Sequence, residues 1–569
     1  MTSPARYGIS ILLAIALLNV CPIGLAEIYH RETSSVIPGT EGLWPKPGVS
    51  FANLSLEFAD LSGFDLTDAN FTGADLRNAI LQGSWLLRAV FDDAIVEGTD
   101  LTCTGPNEGL TAEQLYSTAS YRNKSLMETE FSQAMFGCSG DFREWDFTDQ
   151  NLSGANFAWA ELSRANLSGA NLTQAYMMGA NLTQTNLSGA NLQNANLSHS
   201  TVTNADFADA IIKGARLESI RDGGLNSEQF YKTASYQAKD LVGIVFGQSD
   251  LSGWDFRRQN LTDAVFSQLP CMNCLVTTSV ENADFTGAII KGADFWGVQS
   301  LLREQVYSTA SYAAKDLRGI NLGDIDLSDW DFHAQDLSNA YLRGTLAQTD
   351  FRDANLSNAD LAASSLPTAI FSSGTIYNQW TVFPADFDPQ SVGLTRIESV
   401  RGDFNADSVI DVADIELLQR QVQGILDNRL SPAKFDVNQD GNVTPDDAQL
   451  WTKQIALTYF GDANLDGQFD SEDLVTVFVA GEYEDTKYKN SIWHTGDWNS
   501  DGEFNSADLV LAFTDGGFER GPRTIIAVPE PSSTADPLFF FAIAYAAIRN
   551  LRGTGRLLTT KASPLPTTS

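Results

Sequence analysis

An apolar residue recurs at every fifth position along most of the first two-thirds of the chain. The longest unbroken register covers sixteen such positions, with small or polar residues between them. A period of five matches neither an α-helix, which repeats every ~3.6 residues, nor the simple alternation of a β-strand. A short, fixed period predicts a solenoid, in which each repeat packs only against its neighbours. The sixteen positions are Phe142, Phe147, Leu152, Phe157, Leu162, Leu167, Leu172, Met177, Leu182, Leu187, Leu192, Leu197, Val202, Phe207, Ile212 and Leu217.

Small residues accompany the apolar ones at a fixed offset. Alanine stands two places before many of them, as at Ala165, Ala170 and Ala180. The block Ala-Asn-Leu-Ser-Gly at 165–169 resembles the pentapeptide-repeat family. In that family the chain winds as a right-handed, four-sided β-helix with four pentapeptides per coil, and the central Leu or Phe and the Ala point inward. The resemblance implies a mainly β fold, a right-handed quadrilateral β-helix solenoid over residues 51–395.

Three related segments interrupt this register. They cover residues 111–121, 227–236 and 303–312, and each contains Glu-Gln followed by Thr-Ala-Ser-Tyr. Thr111 with Gln114 has the spacing of a capping box, which marks a helix start. We therefore predict short helical inserts near 110–125, 225–240 and 301–316, acting as connectors between solenoid blocks or as lids on open strand edges, which otherwise invite aggregation.

After about residue 400 the pattern changes to four Asp-x-Asn-x-Asp segments, each with a further Asp at position 12. Glycine occupies position 6 in three of them, Gly441, Gly467 and Gly502, and Ser408 stands there in the first. Alternating oxygen-bearing side chains closed by a last carboxylate are typical of a Ca²⁺-binding loop. The predicted metal ligands are Asp403, Asn405, Asp407 and Asp414; Asp436, Asn438, Asp440 and Asp447; Asp462, Asn464, Asp466 and Asp473; and Asp497, Asn499, Asp501 and Asp508.

The spacing of these loops resembles dockerin type I repeats more than full EF-hands. The loops form pairs that begin 33 and 35 residues apart, and position 12 is Asp rather than Glu. The resemblance implies a small α-helical calcium-binding region with two paired modules over 400–520, and docking onto cohesin-type partners. The Ser-Thr pair that dockerins use for recognition is absent at loop positions 10 and 11, which hold Val412-Ala413, Pro445-Asp446, Ser471-Glu472 and Ser506-Ala507.

Both termini carry features of export. Residues 1–26 read as a signal peptide, with Arg6 before an apolar run and the small residues Gly24 and Ala26 before the cut, and 27–50 form a linker or cap. Near the other end, Val-Pro-Glu-Pro at 528–531 is followed by an apolar run, Leu538–Ile548, and then by basic residues. This linker and tail, residues 521–569, resembles a PEP-CTERM sorting signal, which implies an exosortase-type processing enzyme and transient membrane association through the tail.

Four cysteines remain after removal of a signal peptide, and an exported protein can oxidise them. Cys103 and Cys138 bracket an excursion from the repeats, which a bridge could close. Cys271 and Cys274 form a single Cys-x-x-Cys without a second ligand pair for zinc. A local disulfide or two structural thiols is the preferred interpretation, ahead of metal binding or redox catalysis.

Charge narrows the possible functions. The chain has 72 acidic and 36 basic residues, a net charge of −36. Nucleic acid is not expected as a direct ligand because phosphate contacts require Lys and Arg. The sequence contains no nucleophile elbow, zinc-protease motif or phosphate-binding glycine loop, so we expect no enzymatic activity.

The leading hypothesis is an exported structural or interaction protein of the cell envelope, cell surface or extracellular matrix, with an unknown protein or polysaccharide partner. A dockerin-like assembly subunit that docks to a partner module is one alternative. An acidic pentapeptide-repeat DNA mimic that binds DNA gyrase is another, and the signal peptide argues against it.

Overall fold

A computed structural model describes residues 27–104, 109–132, 140–220, 224–267, 277–362, 366, 368–424, 432–484 and 490–523. The proposed signal peptide, the sorting tail and Cys138, Cys271 and Cys274 lie outside these residues. The chain divides into two compact units. The first contains residues up to 409 and residues 425–436, and the second contains residues 410–424 and those from 437 onward.

The first unit is built on a parallel ladder with a period of twenty residues. Ser50 pairs with Asn70, and Ser55 pairs with Asp75. The amide of Phe51 donates to the Asn70 carbonyl at 2.7 Å, and the Asn70 amide donates to the Val49 carbonyl at 2.8 Å. Twenty residues per coil equal four pentapeptides, so the predicted four-repeat coil is confirmed, and with it the β-helix solenoid.

A tight turn joins successive pentapeptides. At one such turn the Ala170 amide donates to the Leu167 carbonyl at 3.1 Å, and Gly169 has φ of +67°. A positive φ at the third residue belongs to a type II turn, which favours Gly and tolerates Asn or Asp. This requirement explains why Gly, Asn and Asp recur two places after the central apolar residue.

The core follows from the same repeat. The central apolar residues and the alanines point inward, as predicted; Leu167, Leu172 and Ala170 have no exposed surface. Rings on successive coils stack as well: Phe71 lies 5.2 Å from Phe51 and 5.0 Å from Phe91, centroid to centroid. One apolar column therefore runs continuously through stacked coils, and alanine beside it permits the close approach of neighbouring chains.

Six short helices form three pairs within the inserts. They are α1 Ala112–Tyr116, α2 Ala119–Arg122, α3 Ser227–Tyr231, α4 Ala234–Gln237, α5 Arg303–Tyr307 and α6 Ala310–Ala313. The parallel ladder continues across each pair, from Asp100 to Glu130, from Arg216 to Val245 and from Asp294 to Asn321. The helix pairs are thus built into the coils; they neither separate solenoid blocks nor cover open ends. Two short strands follow, β1 Ile376–Tyr377 and β2 Thr395–Arg396, which pair in parallel.

In the part of the second unit that the structure describes there are four α-helices, each preceded in the chain by one of the Asp-rich loops. They are α7 Val412–Val422, α8 Pro445–Leu450, which continues as a π-helical turn Trp451–Ile455, α9 Ser471–Ala480 and α10 Ser506–Asp515. Asp470 and Asn505 cap α9 and α10 with side-chain oxygens. The indoles of Trp451, Trp493 and Trp498 fill the core and are fully buried. Within the described ranges of both units, no helix has the length and apolar character needed to cross a membrane.

Candidate metal centres and the helical inserts

The third and fourth Asp-rich loops lie wholly within the second unit and have the same geometry. Asp462 accepts hydrogen bonds from the Asp466 amide at 3.1 Å and from the Gly467 amide at 2.8 Å. Asp497 accepts the equivalent bonds from Asp501 and Gly502, both at 3.0 Å. The position-6 residues Gly467 and Gly502 have φ of +92° and +95°, a backbone conformation that glycine adopts without strain.

The last carboxylate of each loop folds back over the first residues. Asp473 accepts from the Ala463 amide at 2.9 Å, and Asp508 accepts from the Trp498 amide at 2.9 Å. Asp473 and Asp508 are almost completely buried. The chain therefore brings position 12 beside positions 1 to 3, as a cation-wrapping loop requires.

Burial raises the proton affinity of these carboxylates. It is the main cause that raises the pKa of Asp497 to about 8, with the nearby Asp508 and Asp501 adding to it. Burial likewise raises the pKa of Asp462 and Asp508 to about 6, and that of Asp473 by a smaller amount. Within the described part of the chain, none of the four forms an ion pair with a basic side chain. Buried carboxylates without a basic partner, in loops that also hold the side-chain oxygens of Asn464 and Asn499, form a donor set that suits a hard cation such as Ca²⁺.

The first two loops are divided between the units. Asp403, Asn405 and Asp407 belong to the first unit and Asp414 to the second; Asp436 belongs to the first unit, and Asn438, Asp440 and Asp447 belong to the second. Within the first unit, Asp403 accepts from the amides of Asp407 at 3.2 Å and Ser408 at 2.9 Å, as in the other loops. Within the second, Asp447 accepts from the Asn438 amide at 3.0 Å.

Three or more His, Cys, Asp or Glu side chains do not come together as a metal-binding group anywhere in the described ranges. In each predicted loop, one of the four side-chain ligands is an Asn. Asn464 and Asn499 accept from the amides of Asp466 and Asp501 at 2.8 Å, so their oxygens are held within the loops.

Side chains of the helical inserts make hydrogen bonds to the preceding coil that backbone groups make elsewhere in the ladder. The amide of Gln114 donates to the carbonyl oxygens of Leu86 at 2.8 Å and Ala89 at 2.7 Å. The Ser120 hydroxyl accepts from the Val96 amide at 2.9 Å. The other inserts repeat the pattern: Gln229 with Val202 (3.1 Å) and Ala205 (2.8 Å), Gln305 with Val280 (2.9 Å) and Ala283 (2.8 Å), Ser235 with Ile212 (2.9 Å) and Ser311 with Ile290 (3.0 Å). The Gln of each Glu-Gln pair and the Ser of each Thr-Ala-Ser-Tyr segment thus satisfy backbone groups of the preceding coil.

Each insert also forms hydrogen bonds to a Trp-Asp-Phe segment on the next coil. Tyr116 and Tyr121 stack with centroids 4.4 Å apart. The Tyr116 hydroxyl accepts from the Asp146 amide at 2.6 Å, and the Tyr121 hydroxyl donates to the Asp146 carbonyl at 2.8 Å. Asp255 and Asp331 receive the same two contacts from their own Tyr pairs. The sequence analysis missed these segments, although Trp-Asp-Phe occurs once after every insert, at 145–147, 254–256 and 330–332.

All three inserts lie on one face of the coil. From Asp146 the ladder passes through Asn166 and Asn186 to Asp206. The second insert covers the next position, where the Gln229 side-chain amide donates to the carbonyl of Ala205, the residue directly before Asp206, at 2.8 Å. The Asp255–Asp284 rung then leads to the third insert. This face therefore carries helical projections separated by flat, polar rungs.

Replacing Gln229 with Ala is expected to destabilise the solenoid by roughly 1–3 kcal/mol, because two carbonyl oxygens lose their only insert donor. The loss is measured as a lower melting temperature of the solenoid transition. Gln237→Ala is the matched control, since Gln237 lies in the same insert and makes one exposed contact, to the Lys232 carbonyl. Equal effects of the two substitutions would contradict the proposed role of Gln229.

One predicted disulfide cysteine can be examined in the structure. Cys103 is disulfide-bonded. Its suggested partner, Cys138, and the Cys271–Cys274 pair lie outside the described residues.

Two known protein families match parts of the chain. The family described as Pentapeptide repeats matches in eight copies, at residues 69–102, 141–177, 175–214 and 331–372. The family described as Dockerin type I domain matches residues 401–456. The chain thus carries pentapeptide repeats and a dockerin type I domain. A comparison with curated proteins gives no match.

A comparison with solved structures finds several pentapeptide repeat proteins. HetL of the cyanobacterium Nostoc sp. strain PCC 7120, described as involved in heterocyst differentiation regulation, is 19% identical; the match covers 64% of this chain and 92% of HetL, with a TM-score of 0.12. Rfr23 of the cyanobacterium Cyanothece 51142 is 35% identical, over 17% of this chain and 58% of Rfr23, with a TM-score of 0.09. QnrB1, a plasmid-mediated fluoroquinolone resistance protein, is 13% identical over 51% of this chain and 88% of its own, with a TM-score of 0.12. TM-scores of this size support no further inference.

Proposed function

We propose that the protein is a non-enzymatic, exported structural and interaction protein of the cell surface or extracellular matrix. The pentapeptide solenoid serves as a rigid scaffold, and the calcium-folded module docks a protein partner. The observation that carries the proposal is a set of exposed apolar residues on α9 and α10. Both helices begin at loops that resemble calcium sites.

The exposed apolar residues are Val475, Phe478 and Val479 on α9 and Val510 and Phe513 on α10, and together we call them the apolar face. The exposed fractions are 62% for Val475, 80% for Val479 and 64% for Val510. Val475 and Val510 each follow the last carboxylate of their loop by two residues, and Phe478 and Phe513 follow it by five. Apolar residues exposed at matching positions of two successive loop–helix units favour a protein-binding role.

Calcium is proposed to hold this surface together. The ligands are the sixteen Asp and Asn side chains predicted above, of which the third and fourth loops supply Asp462, Asn464, Asp466 and Asp473, and Asp497, Asn499, Asp501 and Asp508. When bound, the cation supplies the positive charge that the buried carboxylates require. Because α9 and α10 begin at these loops, filling the loops fixes the helices that carry the apolar face.

Export rests on the sequence of the termini and on the dockerin domain, a module of extracellular assemblies. The signal peptide, the Pro-Glu-Pro segment and the apolar, basic tail describe one route to the envelope, with removal of the tail by an exosortase-type enzyme. The partner at the surface is a protein with a complementary apolar groove, and cohesin-type modules are the first candidates.

Binding of cohesin-type modules to protein recovered from secreting cells tests the proposal. Intact mass should place the mature N-terminus at Glu27, and binding should require calcium. Val475→Asp combined with Val510→Asp should weaken binding at least tenfold, since a charge at the centre of an interface must be desolvated.

Val392→Asp is the matched control, because Val392 is also exposed, at 45%, but lies in the first unit. Loss of binding in the control alone would place the docking surface on the solenoid unit. Binding in EDTA as strong as in calcium would contradict the role of the loops, and a mass that retains residues 1–26 would contradict export.

A further inference from the structure

The carboxylate that opens the fourth loop is held by a helix from a distant part of the sequence. Gln423, the C-cap residue directly after α7, donates its side-chain amide to Asp497 Oδ2 at 2.8 Å. Gln419, one helical turn earlier, donates to the Asp497 carbonyl oxygen and to the Ser500 hydroxyl. The first of these bonds joins residues that are 74 positions apart. Helix α7 follows the first Asp-rich loop and lies in the same unit as the fourth.

In the third loop, the first carboxylate receives a side-chain hydrogen bond from a residue close to it in the sequence. There the Thr458 hydroxyl, four residues before the loop, donates to Asp462 Oδ2. The residue at the corresponding place before the fourth loop is Trp493, whose indole N–H donates elsewhere, to the Asp462 carbonyl oxygen at 2.7 Å. The fourth loop therefore lacks a local donor at this position, and Gln423 supplies one from α7.

Two further observations mark the contact as more than helix packing. Gln419 is completely buried, and its side-chain oxygen has no hydrogen-bond donor among the described residues. The side-chain oxygen of Gln423 is also buried without a donor there. Unsatisfied buried oxygens are costly. Water bound to a cation in the adjacent loop is a donor that could satisfy them.

A third contact joins the same elements. His494, in the 3₁₀ turn Trp493–Thr495 just before the fourth loop, bonds through Nδ1 to the Glu416 carboxylate on α7. The approach to the loop and its first carboxylate are thus both fixed to one helix.

We propose that Gln423 is a positioning residue for a cation in the fourth loop, so that the helix of the first loop controls cation affinity in the fourth. Gln423 holds Asp497 Oδ2 from outside the loop, together with the Gly502 amide inside it, while the Asp501 amide donates to Oδ1. Outer hydrogen bonds of this kind orient metal-ligating groups and typically alter affinity by about 10- to 100-fold. The inference rests on the proposed calcium function and adds a dependence that the loop sequence does not contain.

The test is calcium titration of the full chain by isothermal calorimetry. Gln423→Leu should weaken one site about 10- to 100-fold and leave the affinities of the other sites unchanged. Gln421→Leu is the matched control, a glutamine on the same helix for which no side-chain bond to the loop is found among the described residues. Thr458→Val should weaken a different single site, the third loop.

A double-mutant cycle with Asp508→Asn assigns the site. If Gln423 acts on the fourth loop, Gln423→Leu should have little further effect once Asp508→Asn has weakened that loop. Equal weakening in both backgrounds would overturn the inference, because Gln423 would then act elsewhere or on the fold in general. Calcium binding that is unchanged in Gln423→Leu would also overturn it. Failure of the unaltered protein to bind calcium would instead overturn the proposed calcium function, and this inference with it.

Discussion

Chelation of calcium at pH 8 is expected to lower the melting temperature of the second unit by roughly 15–30 °C for each loop that calcium had filled. Each occupied site contributes about 4 kcal/mol when free calcium is a thousandfold above its dissociation constant, and 1 kcal/mol shifts a domain of this size by about 4–8 °C. The solenoid transition should not move, because its stability comes from stacked apolar columns. Circular dichroism of residues 27–525 in calcium and then in excess EDTA measures both transitions.

The effect of chelation should depend on pH with a defined sign. In the folded state the pKa of Asp497 is raised to about 8 and those of Asp462 and Asp508 to about 6, whereas an unfolded Asp titrates near ~3.9. Between these values the folded unit holds protons that the unfolded chain has released. Without calcium, the stability that these three carboxyl groups contribute is therefore fully present below about pH 4 and is lost as the pH rises toward 8.

With calcium bound, the trend should reverse, since the cation and the protons compete for the same oxygens. Asp497→Asn is the matched control: it removes the group with the highest pKa and should flatten the EDTA curve above pH 6. A melting temperature in EDTA that rises between pH 5 and pH 8 would contradict the assignment of these carboxylates.

Removal of one aromatic ring from the solenoid core is expected to cause the second large loss of stability. Phe71→Ala should destabilise the first unit by about 3–5 kcal/mol, because a fully buried ring stacked between Phe51 and Phe91 leaves a cavity that neighbouring coils cannot close. The measurement is the melting temperature of the solenoid transition.

Trp85→Ala, at an exposed ring on the same stretch of coils, serves as the control and should change the melting temperature little. If both substitutions had the same effect, the inward column would not be the main source of stability.

The sequence analysis identified the repeats and the dockerin-type loops because both have strict local rules. A central apolar residue every five positions, with a turn-compatible Gly, Asn or Asp two places later, leaves the chain one way to bury its Leu and Phe columns. Likewise, the spacing of Asp462, Asn464 and Asp466 with a glycine at position 6 determines the loop conformation without long-range contacts.

The role of the inserts could not be predicted in the same way. Gln114 and Ser120 look like residues of short capped helices, and they are, but their side chains also replace backbone donors and acceptors of a coil that lies 24 to 28 residues away. A residue type at a helix start is compatible with either role. Only the stacking of coils shows which carbonyl oxygens would otherwise have no donor.

The sequence by itself thus determined the solenoid period, its inward faces and the four Asp-rich loops, since each depends on residues within about a dozen positions of one another. The tertiary structure decided three features: the position of the inserts on a single face, the exposure of the apolar face on α9 and α10, and the hydrogen bond from Gln423 to Asp497. These depend on which distant segments become neighbours. Contacts of that kind form when separate apolar surfaces are buried together, and no local pattern of residues encodes their partners.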